Sequence, residues 1–145
     1  MKVWGITLIA MSVVSLLSAA GTERSLYDRL GGKPAIQAVA GGLVDRILLD
    51  KRVNAWFAHA AASPENASAY KAKLAGFLCQ NTGGPCQYTG HDMVTAHKGR
   101  SVTSHAFDSV VEDLVSVLDK FKVPEKEKAD LLTIVATLKS SIVLK

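Results

Sequence analysis

One stretch decides how this chain is interpreted: YTGHDMVTAHKG, residues 88–99. Met93 lies four residues before His97, and residues four apart share one face of a helix. An imidazole beside a thioether and apolar neighbours suits a flat, apolar ligand that carries a metal. Neutral imidazole is a strong ligand for iron, and one histidine commonly holds haem iron. The stretch therefore predicts a haem ligand at His97, although a histidine beside apolar residues is more often an ordinary packing residue.

Helical periodicity extends from this stretch in both directions, and no segment shows the alternation of a strand. Apolar residues recur at helical spacing on three faces, which are Ile36, Val39, Ala40, Leu43, Val44 and Ile47; Tyr70, Leu74, Phe77 and Leu78; and Phe107, Val110, Val111, Leu114, Val117, Leu118 and Phe121. A last helix should begin at Pro124 and point Leu131, Leu132, Val135, Leu138 and Ile142 inwards. The sequence predicts one all-α domain over residues 21–145.

Capping residues and helix breakers mark the predicted helix ends. Ser63 followed by Pro64 starts one helix, and Thr103 starts another. The segment 81–85, Asn-Thr-Gly-Gly-Pro, interrupts the helices, and Gly99 ends the short helix that carries His97.

Two adjacent glycines lie inside the first long helix. Gly41 and Gly42 each cost about 0.5–1 kcal/mol relative to alanine. Either the helix is weak there or another backbone approaches closely, and Gly76 is a candidate for the other side of such a crossing.

The first twenty residues have the composition of an export signal. Lys2 supplies a positive start, residues 3–17 are almost wholly apolar, and Ser18-Ala19-Ala20 offers a cleavage site before Gly21. Because residues 3–20 carry no charge and approach the roughly 20 residues that span a bilayer, a retained membrane anchor is the alternative. We expect a protein of the bacterial periplasm, either free after cleavage or anchored by its N-terminus and facing the periplasm.

The charge of the chain argues against nucleic acid as a partner. The formal net charge is +4, and loss of Lys2 with the signal leaves 4 − 1 = +3. The basic residues are scattered, with no run interleaved with aromatic residues, so nucleic-acid binding is not expected.

Two cysteines, Cys79 and Cys86, flank the Gly-Gly-Pro loop. In an exported chain such a pair is typical of a disulfide, and two unpaired buried thiols are the alternative.

Three segments carry a resemblance to a known family. They are SLYDRLGG at residues 25–32, GGPCQYTG at residues 83–90, and His97-Lys98-Gly99 with Thr103 and Phe107 beyond it. Together they resemble group I truncated haemoglobins, in the family's order and over residues 25–143. The resemblance implies a two-over-two sandwich of antiparallel helix pairs around haem b, with an irregular segment ahead of the proximal histidine. It also implies a diatomic gas, such as dioxygen, nitric oxide or carbon monoxide, as the ligand.

The same resemblance assigns roles to individual residues. His97 becomes the proximal iron ligand, and Phe57 packs on the haem face at the corner before the distal helix. The other implied cofactor-binding residues are Tyr70, Lys73, Leu74, Phe77, Leu78, Tyr88, Met93, Val102, Phe107, Val111 and Val135. Ser101 stands where the family often has a second glycine, so the turn after His97 is expected to differ.

The distal side departs from the family's usual residues. Val44 stands where many members have a tyrosine, and Leu74 where many have a glutamine. Neither side chain can donate a hydrogen bond to bound dioxygen, a bond worth about 1–3 kcal/mol. We therefore expect fast oxygen release and fast oxidation of the iron.

Three residues are candidates for a sixth iron ligand, and an open position is the fourth possibility. Tyr70 matches the distal gate position, with a partly exposed aromatic residue as the equal alternative. Lys73 more simply pairs with a haem propionate, because a ligating lysine must give up its charge. His59 follows Phe57 closely in sequence, but a surface position is favoured for it.

Reversible gas binding is the favoured function, and three alternatives stand beside it. A haem-based redox enzyme or electron-transfer protein, such as a nitric oxide dioxygenase or a peroxidase-like enzyme, would need distal acid–base groups that this chain mostly lacks, and a redox partner that the sequence does not identify. A zinc site made of Cys79, Cys86, His91 and His97 has poor spacing. A helical interaction module without haem would have no need for His97.

Overall fold

The computed structural model describes residues 22–144, which form eight α-helices and one 3-10 helix. The α-helices are α1 (Leu26–Leu30), α2 (Gly32–Leu49), α3 (Ala58–Ala61), α4 (Pro64–Asn81), α5 (Met93–His97), α6 (Ser104–Lys120), α7 (Glu125–Thr137) and α8 (Lys139–Ile142). The 3-10 helix, Asn54–Phe57, precedes α3. No strand occurs within residues 22–144, which confirms the all-α prediction.

Side-chain caps start four of these helices. The oxygens of Ser25, Ser63, Asp92 and Thr103 each accept a hydrogen bond from the backbone N–H three residues later. These bonds satisfy N–H groups that have no partner inside the helix. The predicted helix starts at Ser63 and Thr103 are confirmed.

The core lies where α2 packs against both α4 and α6, while α6 also packs against α7. The buried apolar residues shared by these helices include Ile36, Val39, Ala40, Leu43, Ile47, Leu78, Leu114, Val117, Leu118 and Leu131. The short helix α5 packs against α8 at the other end of the chain. The helices thus pair as α2 with α4 and α6 with α7, as the two-over-two prediction requires.

The last helix ends earlier than its apolar pattern predicts. A single helix through Ile142 is expected, but α7 stops at Thr137 and a separate turn, α8, follows. The Thr137 hydroxyl donates to the Ile134 carbonyl at 2.6 Å, and the Leu138 N–H bonds to Val135 at 3.0 Å. Because Ile134 is the regular α-helical acceptor for Leu138, the hydroxyl competes for that carbonyl and the chain tightens into an i to i−3 bond.

The two helix glycines have different surroundings, and the predicted partner Gly76 is wrong. A Cβ atom on Gly42 would lie 3.1 Å from Val117 Cγ1 and 3.3 Å from Phe121 Cε2, so this glycine allows α6 to approach α2 closely. A Cβ atom on Gly76 would meet no atom within 4 Å, and one on Gly41 would only reach Lys71 at 4.0 Å. The close approach therefore involves side chains of α6 rather than the backbone of α4.

The expectations for the export signal concern residues 1–20, which lie outside the described residues. Among the helices within residues 22–144, none combines the length and the apolar character that crossing a bilayer requires.

A buried carboxylate ties the end of α2 to α6. Asp113 is 2% exposed and accepts a hydrogen bond from Arg46 Nε at 2.7 Å through Oδ1, while its Oδ2 has no donor partner within the described residues. Burial raises the pKa of Asp113, and the negative charge of the neighbouring Asp50 adds to the rise. The Arg52 guanidinium lowers the pKa of Asp50 to about 2, so Asp50 keeps its charge. Asp113 is therefore the group of this cluster that takes up a proton.

Replacing Asp113 by asparagine should stabilise the protein more as the pH rises. The native pKa lies above the unfolded value of about 3.9, so the folded wild type holds the extra proton and loses stability as pH rises through that interval. Asp113→Asn keeps an acceptor for Arg46 and has no buried charge to form. We expect its gain in free energy of unfolding, on the order of 1 kcal/mol, to grow between pH 4 and pH 8 in urea titrations. Asp108→Asn, an exposed change on the same helix, should show no such growth. A pH-independent difference for Asp113→Asn would contradict the assignment.

Candidate haem-binding site

The local structure of α5 orients His97. Asp92 caps the helix by accepting hydrogen bonds from Thr95 N and Thr95 Oγ1, which hold the pKa of its carboxyl below the usual range. His97 is the last residue of α5 and is half-buried. Its Nδ1 lies 2.8 Å from the carbonyl oxygen of Met93. Because a carbonyl oxygen only accepts, Nδ1 is the donor, and in the neutral ring Nε2 is left with a free electron pair.

A left-handed turn follows the histidine. Gly99 has a φ of 74° and Ser101 a φ of 51°, and the Arg100 N–H donates to the His97 carbonyl at 3.1 Å. A residue with a Cβ pays roughly 1–2 kcal/mol in this region of backbone conformation. Ser101 thus adopts the left-handed conformation that glycine favours, at the position where the resemblance places a second glycine.

The corner before α4 brings two of the predicted distal residues together. The rings of Phe57 and Tyr70 pack edge to face with centroids 5.8 Å apart. Burial raises the pKa of Tyr70, so its phenol stays protonated and keeps a hydrogen to donate. Val44 is completely buried in the core and Leu74 is half-buried, and neither carries a polar group. Of Val44, Leu74 and Tyr70, Tyr70 is therefore the residue with a hydrogen-bond donor.

The segment between α4 and α5 is irregular, as the resemblance implies, and it is attached to α4 at several points. Tyr88 packs on Phe77 with ring centroids 5.3 Å apart, and its N–H donates to Gln80 Oε1 at 2.7 Å. The Sγ atoms of Cys79 and Cys86 lie at the bonding distance of a disulfide. The segment ahead of α5 therefore has a defined path along the distal helix.

Most of the side chains assigned to haem contact have an intermediate degree of burial. Those that are half-buried are Phe57, Tyr70, Leu74, Phe77, Tyr88, Met93, His97, Val102, Val111 and Val135. Leu78 and Phe107 are buried, the latter beneath Lys139 Nζ at 5.5 Å from its ring centroid. Lys73 is exposed. Apolar side chains that are neither covered nor fully solvated leave apolar surface for a bound group to cover.

Comparison with known proteins decides the family. The model of the bacterial-like globin family matches residues 25–143. The chain belongs to the bacterial-like globin family. Membership implies haem-based binding of a diatomic gas.

Curated relatives and solved structures agree with this assignment. The globin is 32% identical over 118 residues to the group 1 truncated hemoglobin GlbN of Mycolicibacterium paratuberculosis, covering 81% of this chain and 83% of that one. It is 31% identical to the group 1 truncated hemoglobin GlbN of Synechocystis sp., covering 79% and 88%. The crystal structure of truncated hemoglobin from Tetrahymena pyriformis in its Fe(III) form superposes with a TM-score of 0.74, at 25% identity, over 84% of this chain and all of that one.

The residues of this globin fit a haem group. The donor set is an imidazole whose Nδ1 is engaged and whose Nε2 is free, beside partly covered apolar and aromatic side chains. Haem combines a planar apolar macrocycle with an iron that takes an axial imidazole, so both features match.

The other candidates for iron or zinc ligands differ in how exposed they are. His59 and Lys73 are exposed, whereas Tyr70 is packed against Phe57. His91 is also exposed, and no three His, Cys, Asp or Glu side chains form a metal-binding group within residues 22–144. Cys79 and Cys86, which the zinc alternative would use as ligands, lie within bonding distance of each other.

Two residues of this neighbourhood were missed by sequence reasoning. Trp56 Nε1 donates to the Arg100 carbonyl at 2.9 Å, and Arg100 Nη2 donates to the Trp56 carbonyl at 3.2 Å. The residues are 44 positions apart, and Trp56 packs against the apolar core whereas Arg100 is exposed. In the sequence, Trp56 stands next to Phe57, and Arg100 follows the stretch that ends at Gly99. These positions were the signals that could have drawn attention to the two residues.

Proposed function

We propose that this globin binds haem b between the Phe57 corner and α5, with His97 Nε2 as the proximal iron ligand, and that it binds a diatomic gas reversibly. The observation that carries the proposal is the Met93–His97 hydrogen bond, which leaves Nε2 as the nitrogen with a free electron pair. Haem supplies an iron that binds dioxygen, nitric oxide or carbon monoxide opposite the histidine.

The half-buried side chains would form the walls of the pocket. Phe57 and Tyr70 lie on the distal side, while Met93 and Val102 flank the histidine in sequence. Contact with the macrocycle would remove their remaining apolar surface from water, which favours binding by about 25 cal/mol per Å². The same contact would exclude water from the gas-binding side.

The distal side would hold its gas ligand weakly. Val44 is buried in the core and Leu74 carries no donor, whereas Tyr70 carries a hydroxyl and packs on Phe57. Its raised pKa keeps the phenol in the form that donates a hydrogen bond. We therefore favour Tyr70 over Lys73 and His59, which are exposed, as the residue that meets the ligand or occupies the sixth position.

We also propose that the chain is exported and loses residues 1–20. The apolar segment with its small-residue cleavage site supports this, as does the pairing of Cys79 with Cys86, because disulfides persist in oxidising compartments.

Replacing His97 should abolish normal haem retention. The purified wild type with hemin should show a Soret band that shifts on reduction and again with carbon monoxide, whereas His97→Ala should lose or weaken this spectrum because no other imidazole is in place. His91→Ala, an exposed histidine on the same stretch, should behave as wild type. Titration of each protein with hemin, followed by absorption spectroscopy, measures both the hemin affinity and the spectrum. Unchanged affinity and spectra in His97→Ala, or a colourless wild type, would exclude the proposed ligation.

Removing the Tyr70 hydroxyl should accelerate release of dioxygen. A hydrogen bond to a ligand with partial negative charge contributes about 1 kcal/mol or more, so Tyr70→Phe should raise the dissociation rate by roughly five- to tenfold. Stopped-flow displacement of dioxygen by carbon monoxide gives the rate. Tyr27→Phe removes a hydroxyl from α1 and should leave the rate unchanged. Equal rates in Tyr70→Phe and wild type would show that the phenol does not reach the ligand.

The exported protein should be shorter and oxidised. Mass spectrometry of protein isolated from the periplasm of a bacterial host should give a chain beginning at Gly21 and lacking two hydrogen atoms relative to the dithiol. Cys79→Ser should leave the half-buried Cys86 thiol open to alkylation without reductant. Full-length protein in the membrane fraction would instead support the anchored alternative.

A further inference from the structure

Trp56 and Arg100 form a reciprocal contact between two distant segments. The indole Nε1–H of Trp56 donates to the Arg100 carbonyl at 2.9 Å, and the Arg100 guanidinium returns a bond to the Trp56 carbonyl at 3.2 Å. Each residue therefore holds the other's backbone with its own side chain. We refer to this pair of bonds as the 56–100 clasp.

The clasp connects the two segments that would lie on opposite faces of a haem. Trp56 is the residue before Phe57, which packs on Tyr70. Arg100 comes three residues after His97, and its N–H donates to the His97 carbonyl. Burial raises the pKa of Tyr70, and the positive charge of Arg100 opposes part of that rise, so the guanidinium also lies close enough to act on the distal phenol.

The turn on the proximal side of the clasp holds a serine in an unfavourable conformation. Gly99 and Ser101, on either side of Arg100, both have positive φ angles, which cost glycine little but are unfavourable for serine. A serine persists in this conformation only where surrounding contacts hold it. The clasp is the side-chain contact that the structure gives Arg100 across to another element.

We propose that the 56–100 clasp closes one edge of the haem cleft and controls how fast haem leaves it. Opening the cleft requires the Phe57 corner and the segment after His97 to separate, and this separation breaks both bonds. Trp56 and Arg100 are thus positioning residues, because they act through Phe57 and His97 rather than on the iron. This inference rests on the proposed haem binding.

The experiment compares Trp56→Phe, Arg100→Ala and the double variant with wild type. Trp56→Phe keeps an aromatic ring and removes only the N–H donor, while Arg100→Ala removes the other donor. Hemin loss to an excess of a haem-scavenging apoprotein, followed at the Soret band, should be about three- to tenfold faster in each single variant. The double variant should lose hemin more slowly than the product of the two factors predicts, because each bond depends on the other.

Lys98→Ala is the matched control, since it removes a positive charge from the same segment without touching the clasp. Amide hydrogen exchange of residues 98–103, measured on the protein as purified, provides a second readout that does not depend on haem release. In Trp56→Phe and Arg100→Ala, exchange of residues 98–103 should be faster than in wild type. In the same two variants, exchange of α2 and α6 should be unchanged.

Each of the remaining outcomes overturns the inference. If Trp56→Phe and Arg100→Ala lost hemin at the wild-type rate, the clasp would not control haem retention, whether or not amide hydrogen exchange became faster. If Lys98→Ala accelerated hemin loss as much as Arg100→Ala does, the effect would arise from the lost positive charge and not from the clasp. A wild type that binds no hemin would refute the proposed function itself, whatever the exchange data show.

Discussion

The hydrogen bond from His97 Nδ1 to the Met93 carbonyl is the interaction on which the site depends. It uses the spacing of one helical turn to decide which ring nitrogen carries the proton and which keeps its electron pair. The Asp92 cap supports it by fixing the start of a helix only five residues long. The Asp92 cap thus fixes the start of a short helix, and the bond to Met93 fixes the tautomer of its last side chain, His97.

Burial separates the structural core from the proposed cleft. The side chains between α2, α4 and α6 are almost fully covered, whereas those around His97 retain part of their surface. The partly covered residues pack against this core on one side and remain able to contact a ligand on the other. Gly42 contributes to this division because it lets Val117 and Phe121 approach α2 closely.

Much of the fold could be predicted because helix-forming signals are local. Periodicity gave the long helices, and the hydroxyls of Ser63 and Thr103 gave their starts. The break at Thr137 was not predicted, because the apolar pattern continues through this residue. The break depends on the competition of the Thr137 hydroxyl for the Ile134 carbonyl. The supposed role of Gly76 failed because a glycine in a sequence does not show what faces it.

The sequence by itself determined the all-α class, the irregular segment ahead of α5, the candidate histidine and the distal positions without hydrogen-bond donors, since all of these follow from residue type, local spacing or family resemblance. Only the tertiary structure decided that Tyr70, and not Lys73 or His59, packs on Phe57, and that Trp56 meets Arg100 across 44 residues. Such contacts depend on how helices pack together, and a pattern with the period of one helix carries no information about its neighbour.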